Sequence, residues 1–298
     1  MLETLLEPLQ YSFMQRSLVV AIIVGIICAV VGSYLMVQRL ALLGDAISHS
    51  VLPGLAIAYL VGFNIFIGAF IAGIVSTICI NIIRTRSNLK EDTAMGIVFS
   101  AFFALGITLI TVIQKDNKID LNHFLFGNIL GVTSSEVIDT LIIAIIVISV
   151  VYFLYKELLF YSFDRLGAQA VGLPVHLLDL GLMILIGLTI VASLKAVGVI
   201  LVLALLITPA ATAYLLVNRL HQVMFLGVAI AVTSSITGMY LSYFFNLPSG
   251  PAIVLVASGI FILALLFSPT QGILTNPTSN NQQSALIKEI KKIFQSHH

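Results

Sequence analysis

Long apolar runs separated by short polar or turn-rich breaks make up most of the chain. The breaks predict spanning helices near 17–38, 42–62, 64–84, 93–114, 136–155, 175–193, 196–217, 222–245 and 251–268. A helix that crosses a bilayer takes about 20 apolar residues, which these runs supply. No Asp, Glu, Lys or Arg occurs between Asp45 and Arg84, between Lys195 and Arg219, or from Leu220 to Ile287, and the last of these intervals is 68 residues long. Uncharged runs of that length belong in lipid. In the stretch 175–217 the single charge of Lys195 admits two readings, an outer loop between two spans or a break in one discontinuous helix. The fold class that follows is an all-α polytopic membrane protein, a bundle of eight or nine transmembrane helices. Its connections are too short to house a catalytic domain.

Basic residues orient the bundle. Placing the connections after Arg39, Arg84, Lys156 and Arg219 on one side, with the C-terminal tail, gathers Arg39, Arg84, Arg86, Lys90, Lys156, Arg165, Arg219, Lys288, Lys291 and Lys292 there. The other side keeps only Arg16, Lys115, Lys118 and Lys195. The excess of Lys and Arg in cytoplasmic loops then predicts an outside N-terminus and a cytoplasmic C-terminus. The start does not read as a secretory signal, because Glu3 and Glu7 stand where basic residues are usual and the run after Arg16 is 22 residues long. The expected division is a transmembrane domain over 1–271 and a polar cytoplasmic tail over 272–298, which contains Asn276-Pro-Thr-Ser-Asn-Asn-Gln-Gln283. Tyr34-Leu-Met-Val-Gln-Arg39-Leu40 and Tyr214-Leu-Leu-Val-Asn-Arg219-Leu220 share five of seven positions. An interfacial Tyr and an Arg anchor explain that likeness more simply than a parallel repeat.

Composition narrows the function classes. Of 298 residues 59 % are hydrophobic and 9 % charged, against about 25 % charged in a soluble domain. The net charge is +1, from 14 basic and 13 acidic side chains, so no basic field exists for nucleic acid. Cys28 and Cys79 lie in apolar runs with no CxxC spacing and read as small core residues. There is no G-x-x-x-x-G-K-[ST] phosphate loop, no H-E-x-x-H helix and no G-x-S-x-G elbow. Any ATP is therefore hydrolysed by a partner, and an intramembrane enzyme has no visible constellation.

Charge inside a membrane costs about 2.5–3.5 kcal/mol at a helix centre, so each instance asks for a reason. One cluster stands out, Arg39-Leu-Ala-Leu-Leu-Gly-Asp45-Ala-Ile-Ser-His49-Ser-Val-Leu-Pro53-Gly54. Asp45 and His49 are four residues apart and share a helix face. A carboxylate and an imidazole without a thiolate suit manganese(II), iron(II) or zinc(II). Two ligands do not complete a shell, so water, carbonyls, other side chains or a second copy of the chain must contribute. Pro53 and Gly54 are the candidate helix break that would free carbonyls to line a cavity. The alternative is a structural Asp-His pair that locks two helices or lies at the interface. His123, with Asp116 and Asp120 nearby in an outer loop, is a second candidate for meeting a cation, against the plainer reading of a solvated loop. His176 and Asp179 read as cap or interface residues, His221 as an anchor, and His297 and His298 as terminal.

The connection from Lys156 to His176 is the longest on the basic side. Asp164 is expected to cap a short helix, Ala168 and Ala170 to leave its surface bare, and Gly172 with Pro174 to end it. Such a helix on the membrane surface is either a grip for a peripheral protein or a plain amphipathic connector.

The chain resembles the permease subunits of zinc, manganese and iron ATP-binding-cassette importers from about Phe13 to Pro269. The likeness rests on Arg39 to His49, Asp120-Leu-Asn-His-Phe-Leu-Phe-Gly127, Asp164-x-x-x-Ala168-x-x-x-Gly172, Ala196-Val-Gly198-Val, Leu205-Leu-Ile-Thr-Pro209-Ala-Ala-Thr-Ala213 and Leu247-Pro248-Ser-Gly250-Pro251. It implies a type II importer-like fold in the cell membrane and a homodimeric pore. It also implies two cytoplasmic ATPase subunits docked on Asp164, Ala168 and Gly172, and an extracellular or periplasmic metal-binding protein that delivers the ion. On this likeness Asp45 and His49 handle the metal, Pro53, Gly54 and Pro209 are sites of helix break or gating, and no cofactor is permanently bound. The segment from Glu7 to Arg16 is most similar to the manganese branch. One departure is Asn128, where the family often has an acid. The competing class is a secondary metal transporter driven by an ion gradient, which would need no ATPase.

Overall fold

Nine helices long and apolar enough to cross a membrane are present among the described residues of the computed structural model, which are 7–113, 129–268 and 272–274. In chain order the helices are α1 (Ser12–Val37), α2 (Ala41–Ser50), α3 (Leu52–Val61), α4 (Ile65–Arg86), α5 (Glu91–Ile113), α6 (Ser134–Phe153), α7 (Tyr155–Phe163), α8 (Arg165–Ala170), α9 (Val175–Val197), α10 (Val199–Leu216), α11 (Leu220–Phe245) and α12 (Ser249–Phe267). Helices α2 and α3 form one span interrupted at Val51, while α7 and α8 are short and join the spans α6 and α9. His123 and the tail beyond Leu274 lie outside the described residues.

Local chemistry sets the ends. Asn64 caps α4 by accepting from the Phe66 N–H, and Thr133 with Glu136 forms a reciprocal capping box at the start of α6. Gly198, at φ 82°, turns the chain between α9 and α10. Lys195 therefore stands in the last turn of α9, and 175–217 is two spans joined tightly at Gly198, in keeping with the reading of two spans and not with one discontinuous helix. The first span begins at Ser12, earlier than expected. Arg16 lies inside it and turns its guanidinium to the Ser12 carbonyl at 3.2 Å and the Ser134 hydroxyl at 3.4 Å. A long basic side chain near a helix end reaches polar partners while its stem stays apolar.

Helix α1 is the most enclosed at its centre, with Val20, Val24, Ile27, Cys28 and Val31 fully buried. Helices α6, α9, α10 and α11 pack around it, and α12 packs against α10 and α11. Helices α2 to α5 pack among themselves, and α9 touches both groups. Buried hydroxyls bond within their own helices, as Ser33 does to the Ala29 carbonyl at 2.7 Å and Thr189 to the Leu185 carbonyl at 2.8 Å. That satisfies polar groups that lipid cannot.

The crossing of α3 and α4 depends on small residues. A Cβ on Gly54 would lie 2.1 Å from the Gly68 carbonyl oxygen, and one on Gly68 would lie 2.4 Å from that of Gly54. Ala58 and Ala72 flank the contact. Close backbone approach through small residues is how helices associate without a hydrophobic drive in lipid. Gly54→Leu is expected to force the two helices apart and destabilise the protein by about 3 kcal/mol or more, beyond ordinary overpacking, as read from the unfolding temperature in detergent.

Candidate metal site and the buried carboxylate beneath it

The α2–α3 span covers 21 residues, about 31 Å of helix. His49 falls near its middle, and Asp45 lies one turn nearer the end that carries Arg39. His49 Nε2 approaches Asp45 Oδ1 at 3.5 Å, with the two side chains 23 % and 50 % exposed. The edges of Phe99 and Phe103, on α5, pack against the imidazole with ring centroids at 5.5 Å and fix its plane. His49 Nδ1 is buried and has no hydrogen-bond partner. The pair thus presents a carboxylate and an imidazole on one helix face, held loosely enough to admit an ion. No group of three or more His, Cys, Asp or Glu side chains suited to a metal gathers among the described residues.

A cavity of about 520 Å³ opens beside this pair. Its walls come from α2, α3, α4 and α9 with single residues of α6 and α10, and Ser48, His49, Asn64, Glu136 and Lys195 are its polar lining. It leads from the 63–66 turn toward His49. At its rim Lys195 Nζ donates to Asp139 Oδ2 at 3.1 Å and stands 5.8 Å from the Phe66 ring centroid, so a neighbouring carboxylate offsets the cation. Pro53, which denies the His49 carbonyl its donor four residues on, coincides with an interruption of the helix. The interruption is at Val51, and Pro53 sits in the first turn of α3, where its missing N–H is tolerated. Gly54 instead faces α4. Pro209 is buried within a continuous α10 and denies a donor to the Leu205 carbonyl without ending the helix.

At the opposite end of α4 and α9 lies a polar cluster around Asp179, which by sequence reads as a cap or interface residue. Asp179, 2 % exposed, accepts from Arg84 and from the Tyr161 hydroxyl in short contacts, and from Asn81 Nδ2 at 3.1 Å. Arg165 of α8 reaches the same carboxylate at 3.6 Å and lies 5.7 Å from the Tyr161 ring centroid. Arg84 also meets Glu91 at 3.5 Å. Burial, and then the hydrogen bond to the Asp179 carboxylate, hold the Tyr161 phenol above its ordinary pKa, so it remains a donor. Asn81 and Arg84, three residues apart, share a helix face, which was the available signal. Asp179→Ala leaves the Arg84 charge buried without its carboxylate and is expected to destabilise by about 3–5 kcal/mol, measured as loss of folded protein on heating in detergent.

The α8 segment forms as its residues suggest. Asp164 Oδ1 accepts from the Gly167 N–H at 2.8 Å, and Gly172 at φ 89° closes the helix with the Leu173 N–H on the Ala168 carbonyl at 3.0 Å. Ala168, however, is turned inward and fully buried, so it does not supply a bare outer surface. Ala170 is exposed as expected, and the large apolar side chains turned outward are Leu166 and Val171, 79 % and 73 % exposed.

A sequence model described as the ABC 3 transport family matches residues 10–268. The manganese transport system membrane protein MntC of Listeria monocytogenes is 52 % identical over 266 residues, covering 89 % of this chain and 94 % of that protein. A probable iron transport system membrane protein of Haemophilus influenzae is 44 % identical over 268 residues, covering 90 % and 98 %. Among solved structures, PsaBC from Streptococcus pneumoniae in complex with Fab superposes with a TM-score of 0.81 at 41 % identity, covering 91 % of this chain and 98 % of that one.

Proposed function

This chain belongs to the ABC 3 transport family, and from that premise we propose that it is the membrane-spanning permease subunit of an ATP-driven importer of divalent metal, with manganese(II) as the favoured cargo. The observation that carries the reading is the Asp45–His49 pair near the middle of its span, beside a cavity, in a chain 52 % identical to a manganese permease over most of its length. The chain itself is a translocation subunit, and ATP hydrolysis belongs to separate ATPase subunits. Zinc(II) and iron(II) use overlapping ligands and are the alternatives within the class.

In this reading the metal enters from the 63–66 side, delivered by an external metal-binding protein, and is held by Asp45 and His49. The half-exposed Asp45 leaves the shell open to water, backbone carbonyls and a second copy of the chain, which together supply the remaining ligands. The N-terminus lies outside and the C-terminus in the cytoplasm, which places α8 on the cytoplasmic face. There the ATPases grip the segment from Asp164 to Gly172 through Leu166 and Val171. Their closure on ATP rocks the helices about the metal pair.

The test is metal accumulation in cells lacking this chain and complemented with it, with manganese, zinc and iron competing at matched free concentrations. Manganese uptake is expected to be restored and to be the least reduced by the other two. Restoration of zinc or iron uptake alone would reassign the cargo, and restoration of none would overturn the reading.

A further inference from the structure

The Asp179 cluster lies toward the end of α4 and α9 away from the cavity, and it ties the short helices α7 and α8 to the packed pair α4 and α9. Arg165 is the first residue of α8, Tyr161 belongs to α7, Asp179 to α9, and Asn81 and Arg84 to α4. All four side chains converge on the two oxygens of one carboxylate that is 2 % exposed. Helix α4 then runs to the tight crossing at Gly68 and Gly54, which sets the position of α3 and, through Val51, of His49.

A buried carboxylate of this kind is not explained by stability. Ion pairs out of water rarely stabilise more than apolar side chains of similar size. What this one supplies is directional connection. Rotation of α8 moves Arg165, which shares its acceptor with Arg84 through an ion pair at 3.6 Å, so movement of α8 bears on α4 while both ion pairs hold. The packed crossing at the other end of α4 has no slack to absorb the movement.

We propose that Asp179 is a positioning residue for transport, the joint through which motion of the docking segment reaches α4 and the metal pair. The inference rests on the reading of α8 as the ATPase docking segment. It assigns Asp179 no contact with metal or nucleotide.

The experiment uses the intact complex of this chain with its ATPase subunits in proteoliposomes, with manganese uptake and ATP hydrolysis measured in the same sample. Asp179→Asn is expected to assemble and to hydrolyse ATP while the manganese moved per ATP falls about tenfold, within the usual range of coupling between sites. Asp179→Glu is expected to recover most of the ratio. The double variant Arg84→Met, Asp179→Leu removes the buried charges together, and is expected to fold as well as the parent yet remain uncoupled. If the double variant, or a folded Asp179→Asn, transports manganese at the parental ratio, the cluster is structural only and the proposal fails. Failure of the Asp179 variants to bind the ATPases overturns it as well, since the residue would then serve docking. Failure of the docking reading is separate: it appears as unchanged ATPase binding when Leu166 and Val171 are both replaced by Asp.

Discussion

Replacing Asp45 by Asn, or His49 by Gln, is expected to reduce ATP-driven manganese uptake by at least about 100-fold, because even residues one shell removed from a metal cost 10–100-fold when changed. The site has few donors to lose. Its two side chains lie on one helix face, and no further His, Cys, Asp or Glu completes a group with them among the described residues. Asn and Gln keep the shape of the originals, so the imidazole's seat between Phe99 and Phe103 stays filled and the fold is expected to be kept. Uptake, ATPase binding and thermal stability measured together separate the two roles open to this pair. Loss of uptake with assembly and stability intact marks a transport site. Loss of stability with uptake retained by the surviving folded protein marks a structural ion pair.

The second large effect is expected at α8. Leu166 and Val171 are apolar, outward and 79 % and 73 % exposed on a helix set by Asp164 and Gly172. Replacing both by Asp leaves the isolated permease within about 0.5 kcal/mol of the parent, as surface changes do. At an interface each substitution is expected to cost about 2 kcal/mol or more, the scale of a central contact residue. The permease should then purify without its ATPases and show no ATP-dependent uptake. Undiminished co-purification would move the docking surface elsewhere on the basic face. Ala168→Leu differs from these changes in kind, since Ala168 is buried and the added bulk disturbs α8 from beneath.

The span pattern was legible because lipid allows so little else. With no charge between Asp45 and Arg84 or from Leu220 to Ile287, the turns at Asn64, Gly198 and Pro248 had to mark the ends. Asp45 and His49 stood out for the same reason. Asp179 did not, because its meaning lies in partners 14 to 98 residues away in sequence. Arg84 was counted as a basic anchor for orientation, whereas its side chain is 6 % exposed and committed to Asp179. Ala168 was misplaced on the surface because a six-residue helix has too few positions to display a face. The break expected around Pro53 and Gly54 falls at Val51, in the turn before the proline, whose ring leaves the His49 carbonyl without its donor four residues on.

The measurement that tests the account most directly is radiolabelled manganese uptake into proteoliposomes holding this chain with its ATPases, compared between intact ATPase and a form unable to hydrolyse ATP. The account expects uptake with ATP and the intact ATPase, none without either, and none with Asp45→Asn. Manganese accumulation that continues without ATP and follows an imposed ion gradient would contradict it and identify a secondary transporter.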